Sequence, residues 1–260
     1  MPIAPPLTYL NSLLLFATAF IAGGLNAVAG GGSFITFPML IFTGVSPIVA
    51  NATNTTAMWA GSLSSVGAYR RDFAIERRVL IILTAASLVG GLIGSIALLY
   101  TSADVFRKLI PYLLLLATCV FIFGESCKQW LQSFDLSKSN KSPRLGYLVI
   151  VQLAIAIYGG FFGAGAGILM LAALTLFSFK DMNTMNALKS FLGTCFNSIA
   201  VILFICAGLV TWPQAILMSI GGSLGGYILA RSARQIAPQL LRQFVSIVAI
   251  GMTTYFFIHG

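Results

Sequence analysis

Polar side chains recur at helical spacing inside two segments that are otherwise apolar. In the first segment, positions spaced 0, 3, 4, 7 and 11 residues apart place on one helical face Asn51, Asn54, Thr55, Met58 and Ser62. In the second segment the corresponding face holds Asn186, Lys189, Ser190, Gly193 and Asn197. Because polar groups are costly against lipid, each stripe is expected to face either a wet cavity or a neighbouring helix.

Lys189 carries the strongest chemical signal on these stripes. Of the fifteen Lys and Arg residues it alone lies inside an apolar segment, and none of the six acids does. An ammonium in such surroundings attracts anions, and helix N-termini add partial positive charge. The alternative is that Lys189 extends to the membrane interface. The absence of intramembrane acids favours an anion over a cation, so we predict a small anionic substrate near Lys189.

Two glycine clusters lie inside apolar segments and precede the two stripes. The first contains Gly30, Gly31, Gly32 and Ser33, and the second runs from Gly163 to Gly167. Glycine lets a membrane helix break or approach another backbone closely. Exposed backbone N–H groups there would bind anionic oxygens. From the clusters we select as binding candidates Gly31, Gly32, Ser33, Gly165 and Gly167. The alternative is that the glycines serve helix packing.

The composition identifies a membrane protein. Of the 260 residues 58% are hydrophobic and 8% are charged, whereas a soluble domain carries about 25% charged residues. The net charge of +9 comes from Lys and Arg between the apolar segments, where they set orientation, so we predict a lipid bilayer as partner and no nucleic acid. With one His and no Cys pair at metal spacing, we expect no metal and no cofactor.

The apolar segments follow the same order in two halves of the chain. The predicted segments cover residues 9–29, 33–42, 51–69, 79–100, 109–123, 145–162, 168–179, 186–209, 213–230 and 240–258. Residues 33–42 and 168–179 are too short to span a bilayer, which needs about 20 residues. They are halves of broken spans or re-entrant limbs. The fold class is therefore an all-α polytopic membrane protein of about 8–10 hydrophobic segments.

Matching residues support a duplication. Asn51-Ala52 lies 135 positions before Asn186-Ala187, and the run Gly90–Gly94 resembles the run Gly221–Gly225. We divide the chain into a first membrane repeat over residues 1–123, a cytoplasmic linker over 124–145 and a second membrane repeat over 146–260.

Charge places the two repeats in opposite orientations. The loop from Arg70 to Arg78 has four arginines and is predicted to be cytoplasmic, whereas the equivalent loop 208–212 has no charge and is predicted to be outside. The repeats would then be inverted, as in many transporters, with the substrate near the midplane between them. Both termini are predicted outside a bacterial inner membrane, and the first apolar segment, which lacks a basic n-region, is predicted to be retained.

The first half resembles the TauE/SafE sulfite-exporter family. The residues that carry the resemblance include Gly23-Gly24, Asn26, Gly30-Gly31-Gly32-Ser33, Pro38-Met39-Leu40, Gly44, Ser46-Pro47 and Ala50-Asn51-Ala52-Thr53. The stretch from Gly163 to Ala187 resembles the family's second half, although Ala172 stands where the first half has Pro38. The resemblance implies a transporter of small sulfur-containing anions, such as sulfite or the organosulfonate sulfoacetate. Asn26 joins the candidate site.

Other functions remain open at this point. An anion-selective channel would share the inverted repeats and the absence of intramembrane acids. An enzyme would need a nucleophile with a base, and Ser33 has no His or acid partner in the membrane, so we predict that the protein is not an enzyme. A structural subunit and a homo-oligomer are both compatible with the sequence. The sequence therefore favours a secondary transporter of a sulfur-containing anion that works by alternating access.

Overall fold

The computed structural model describes residues 7–28, 30–69, 75–133, 145–177, 179, 181–232 and 238–259. These residues form helices and short connections, with no strand among them, which confirms the all-α class. The helices are α1 (Tyr9–Val28), α2 (Ser33–Phe42), α3 (Pro47–Ala68), α4 (Arg77–Leu99), α5 (Ala103–Ser133), α6 (Leu145–Phe161), α7 (Ala166–Leu176), α8 (Met182–Cys206), α9 (Trp212–Ser232) and α10 (Pro238–His259).

Some helix boundaries differ from the predicted segments. α3 begins at Pro47 and not at Asn51, because proline fits the first turn of a helix, where its missing N–H costs nothing. α5 is longer at both ends than the predicted 109–123 and continues to Ser133, so the start of the predicted linker is helical. Residues 134–144 of that linker, and Arg70 and Arg71 of the predicted cytoplasmic loop, lie outside the described residues.

Both glycine clusters interrupt a helix in the same way. Gly30 and Gly163 have φ values of 87° and 77°, in the left-handed region that favours glycine. Their backbone N–H groups donate five residues back, to the carbonyls of Leu25 (3.0 Å) and Tyr158 (3.4 Å). This geometry ends α1 and α6, and the short helices α2 and α7 follow.

The two halves of the chain pack on each other through two helix pairs. α1 packs along α9 and α6 packs along α4, so each half supplies one helix to both interfaces. At the crossings a Cβ on Gly23 would meet the backbone of Gly222, and a Cβ on Gly160 would meet the backbone of Gly91. The glycines therefore allow backbone contact at both crossings.

The helices α5 and α10 occupy equivalent places in the two halves and touch each other. The hydroxyls of Thr118 and Thr253, which are 135 positions apart, lie 3.1 Å apart. Farther along, the rings of Tyr112 and Phe257 meet edge to face at a centroid distance of 5.4 Å. Because the residue numbers rise on one helix while they fall on the other, α5 and α10 are antiparallel.

The outer surface is apolar. Large exposed side chains include Ile81, Leu92, Ile216, Ile220 and Ile247. Within the described residues, three helical stretches are long and apolar enough to cross a membrane, Tyr9–Ala27, Arg77–Leu99 and Met182–Cys206. Such a surface fits contact with lipid, and polar groups of the described core must find partners inside the bundle.

Candidate functional site

A polar cavity of about 40 Å³ lies where α3 and α8 pass the two helix breaks. The described residues that line it come from α1, α2, α3, α7 and α8 and from the end of α6, and so from both halves of the chain. The lining residues are Asn26, Ser33, Asn54, Thr55, Met58, Ser62, Ser65, Gly163, Ala166, Gly167, Met170, Lys189, Ser190, Gly193, Phe196 and Asn197. Among them Lys189 is the one charged side chain.

Lys189 points into the protein and not to the membrane interface. Its side chain is 4% exposed. Its ammonium donates hydrogen bonds to the backbone carbonyl of Ala27 and to Oδ1 of Asn186, each at 3.0 Å. Both acceptors are uncharged. An ammonium has three donors, so these bonds leave one donor for a ligand in the cavity.

Asn186 therefore holds Lys189 and does not line the cavity itself. Its counterpart Asn51 is also outside the lining: it is buried, and its Nδ2 donates to the carbonyl of Phe161 at 3.0 Å. Each stripe thus donates a hydrogen bond to a carbonyl in the last turn of a broken helix: Lys189 to Ala27 of α1, and Asn51 to Phe161 of α6. Helix ends leave such carbonyls without intrahelical partners.

Six other predicted side chains are brought together at the cavity: Asn26, Ser33, Asn54, Thr55, Ser190 and Asn197. Asn26 donates from Nδ2 to the hydroxyl of Ser62 at 3.4 Å. Asn54 accepts from the hydroxyl of Thr36 at 2.5 Å, which leaves its amide N–H groups for the cavity. The buried Oδ1 of Asn197 has no hydrogen-bond partner. The wall therefore offers amides and hydroxyls beside a single ammonium.

The glycine candidates divide between the cavity and helix packing. Ser33 and Gly167 line the cavity. A Cβ on Gly167 would lie 3.0 Å from Cα of Gly30 and 3.4 Å from Cδ of Lys189, so Gly167 lets the two breaks touch beside the lysine. Gly31, Gly32 and Gly165 are not among the lining residues. A Cβ on Gly32 would meet the backbone of Ala22, and one on Gly165 would meet Cβ of Ala117, so these two serve packing.

Several lining residues were not among the predicted site residues. Ser62 lies on the predicted stripe, and Ser65 continues the same face one turn later, so the helical period was sufficient to find both. Gly163 belongs to the second glycine cluster. Met170 on α7 and Phe196 on α8 are apolar and have no distinguishing pattern, and their place in the wall depends on tertiary packing.

An internal polar cavity between two broken helices, enclosed by an apolar helical bundle, is the arrangement of a membrane transporter. The comparison with known proteins agrees with this class. The sequence pattern of the family described as sulfite exporter TauE/SafE matches residues 15–256. The chain belongs to this family.

Curated relatives match along nearly their whole length. A probable membrane transporter protein of Haemophilus influenzae is 29% identical over 253 residues, which cover 92% of each chain. The probable membrane transporter protein YfcA of Escherichia coli K12 is 29% identical over 92% of this chain and 87% of its own. YunE of Bacillus subtilis, also named a probable membrane transporter protein, is 24% identical over 93% and 95%. No solved structure gives a significant match. The prediction of a transporter and not an enzyme is confirmed.

Proposed function

We propose that this protein transports a small sulfur-containing anion, sulfite or an organosulfonate, across the bacterial inner membrane. The observation that carries the proposal is that Lys189, the one buried cation among the described residues, lies on the wall of a cavity whose other polar groups are neutral. A buried ammonium attracts a negative charge strongly because water does not screen it. The choice of a sulfur-containing anion is based on the family, which is described as sulfite exporter TauE/SafE.

The donor set suits an oxyanion. The oxygens of a sulfite or sulfonate group accept hydrogen bonds, and the cavity offers donors from Lys189, from the amides of Asn26, Asn54 and Asn197, and from neighbouring hydroxyls. Among the described residues Glu76, Asp104 and Asp181 have exposed side chains and none of them lines the cavity. A cationic substrate would find no carboxylate on the described wall.

We propose that the two halves are inverted repeats. The antiparallel contact between the equivalent helices α5 and α10 supports this orientation. So does the exchange of partners, in which α1 packs on α9 while α6 packs on α4. An inverted pair with its site between the repeats can open to each side in turn by exchanging two equivalent conformations.

Alternating access would then involve the contacts between the halves beside the cavity. Two such contacts are the backbone approach of Gly30 to Gly167 and the 2.9 Å hydrogen bond from the indole N–H of Trp59 to the hydroxyl of Ser198. Each joins one repeat to the other. We propose that they separate and reform as the site changes sides.

The proposed orientation has both termini outside and the linker in the cytoplasm, on the basis of the charge of the loops. It can be tested with single cysteines in a variant that lacks the four native ones. Ala207→Cys, at the exposed C-terminal end of α8, is expected to react with a membrane-impermeant maleimide on intact cells. Ser139→Cys in the linker is expected to react only after lysis. The reverse pattern would contradict the orientation.

Binding is tested by thermal-shift measurements on the purified protein with sulfite, sulfate, sulfoacetate, taurine and phosphate. Stabilisation by a sulfur anion, followed by its uptake into proteoliposomes, is the expected result, because a ligand that binds the folded state raises its stability. Saturable uptake without single-channel currents in a planar bilayer separates a carrier from a channel. No shift and no uptake with any of the five compounds would contradict the proposed function.

A further inference from the structure

We infer that the site selects anions that carry one negative charge, so that sulfite is bound as hydrogensulfite. This inference rests on the proposed anion site and narrows its substrate class. Its first support is a count of charge: Lys189 is the one charged side chain among the described lining residues. The partners of its ammonium, the Ala27 carbonyl and Asn186 Oδ1, are neutral oxygens, so its full charge remains to be balanced by a ligand.

Partial charges of the helix ends do not alter this count. Ser33 and Gly167 belong to the N-terminal turns of α2 and α7, which carry partial positive charge, and both line the cavity. Asn26 near the end of α1 and Gly163 just after α6 line it as well, and these ends carry partial negative charge. Each break therefore places opposite helix ends beside each other, and their contributions offset.

A single ammonium balances a monoanion and not a dianion. With a monoanion the occupied cavity is neutral. With a dianion one unit of negative charge stays buried without a partner, which is strongly unfavourable in a low-dielectric interior. The other polar groups on the described wall are neutral amides and hydroxyls, which solvate charge but do not cancel it.

The size and hydrogen-bonding capacity of the cavity agree with a small protonated oxyanion. Its 40 Å³ is the space of roughly three water molecules at about 10–15 Å³ each, which suits hydrogensulfite better than the larger, doubly charged sulfoacetate. Asn197 Oδ1 has no partner. A half-turn of the terminal amide exchanges the positions of its oxygen and nitrogen, so Asn197 can present either atom to the cavity. Its oxygen can then accept a hydrogen bond from an anion that carries a hydrogen.

The pH dependence of sulfite binding then has two sources, the ligand and the ammonium of Lys189. The described lining residues contributed by α1, α2, α3, α7 and α8 include no titratable side chain other than Lys189. Tyr158 on α6 and Cys195 on α8 are titratable, and neither lines the cavity. Sulfite loses its last proton near neutral pH, so a rise in pH converts the monoanion into a dianion while the described wall around Lys189 gains no new charge.

The test measures the affinity of the purified full-length protein for three anions at constant ionic strength, on both sides of that ionisation. Methanesulfonate stays singly charged and sulfate stays doubly charged throughout. On the alkaline side we expect sulfite affinity to fall at least about tenfold more than methanesulfonate affinity, because loss of the Lys189 proton would weaken both anions alike. Sulfate is expected to bind at least about tenfold more weakly than methanesulfonate.

Other results would overturn the inference. Sulfate binding as tightly as methanesulfonate, or sulfite affinity that does not fall with pH, would show that charge number is not selected. A parallel fall of sulfite and methanesulfonate would assign the pH dependence to the protein. Binding without a preference for the monoanion would contradict this inference alone. No binding of any anion would contradict the proposed function as well.

A gain-of-function variant adds an independent test. Asn54 lies 135 positions before Lys189, is its counterpart on α3 and lines the same cavity. Asn54→Lys would supply a second cation and is expected to shift the ratio of sulfate to methanesulfonate affinity at least about tenfold toward sulfate. Retained methanesulfonate binding reports that the variant is folded. An unchanged ratio in a folded variant would count against charge balance as the selecting principle.

Discussion

The ammonium of Lys189 on α8 lies 3.0 Å from the backbone carbonyl of Ala27, three residues before the left-handed glycine that ends α1. One cation thus both faces the cavity and caps the last turn of a helix from the other half of the chain. Cations near helix C-termini are favourable because the terminal carbonyls carry partial negative charge. An anion in the cavity would bind the same ammonium that holds the end of α1, which would link occupancy of the site to the helix break.

Lys189→Met should remove the anion site while it keeps most of the side-chain volume. Hydrogen bonds to charged groups contribute about 1.5–3 kcal/mol, so we expect the affinity for sulfite to fall roughly 10- to 100-fold by isothermal titration calorimetry. The control is Lys108→Met, which removes one positive charge from an exposed position on α5. Wild-type affinity in Lys189→Met would show that Lys189 does not bind the anion.

Asn186→Asp should block the site without removing the lysine. The new carboxylate takes the place of the Oδ1 atom that accepts from Lys189 at 3.0 Å, and it neutralises the ammonium. We expect anion affinity to fall at least about tenfold, while the thermal unfolding temperature stays the same or rises. Unchanged affinity would mean that the charge of Lys189 does not contribute to anion binding.

The matched control is the equivalent substitution in the first half, Asn51→Asp. Asn51 donates to the carbonyl of Phe161 and is buried, so a carboxylate there loses the donor and faces another oxygen. A buried charge without a partner costs about 3–5 kcal/mol, and we expect a marked loss of thermal stability. Equal stability of the two variants would contradict the different roles of these equivalent asparagines.

The sequence was sufficient for the parts of this fold that local chemistry determines. The short helix α2 has the predicted bounds, because the glycine cluster and the Gly44-to-Pro47 stretch limit it on both sides. The helical period placed Asn54, Thr55, Ser190 and Asn197 on faces that meet at one cavity. The bonds of Lys189 to Ala27 and of Asn51 to Phe161 could not be predicted, since each joins residues more than 100 positions apart.

Asp181 should give the protein an acid-sensitive contribution to stability. It caps α8, and its carboxylate accepts from the hydroxyl and backbone N–H of Thr184. These hydrogen bonds, the side-chain one foremost, lower the pKa of Asp181. Because the folded pKa lies below the unfolded value of about 3.9, the contribution is present above that value and disappears as pH falls through the folded pKa.

We therefore expect Asp181→Ala to lower the unfolding temperature at neutral pH, with a difference that shrinks in acid. Asp181→Asn keeps an N-cap acceptor and should retain more stability at neutral pH than Asp181→Ala. Its stability should also lack the acid-dependent part. Thermal unfolding of the three proteins over an acid-to-neutral series checks both statements, and a pH-independent difference between wild type and Asp181→Ala would refute the role of the ionised carboxylate.

The equivalent glycines of the two helix crossings should be equally intolerant of a side chain. A Cβ on Gly90 of α4 would meet the backbone of Leu153, and one on Gly225 of α9, 135 positions later, would meet the backbone of Phe20. Overpacking of this kind costs about 1–3 kcal/mol, and backbone atoms cannot move away as a flexible side chain can. We expect both Gly90→Ala and Gly225→Ala to lower the thermal unfolding temperature in detergent by similar amounts.

Gly67→Ala is the control for helix propensity at these crossings. Gly67 lies in α3, is exposed, and a Cβ there would meet nothing within 4 Å. Alanine in place of glycine inside a helix gains up to about 1 kcal/mol, so this variant should be as stable as the wild type or more so. If only one of the two crossing variants were destabilised, the α1–α9 and α4–α6 interfaces would not be equivalent, and the proposed repeat symmetry would lose its main packing support.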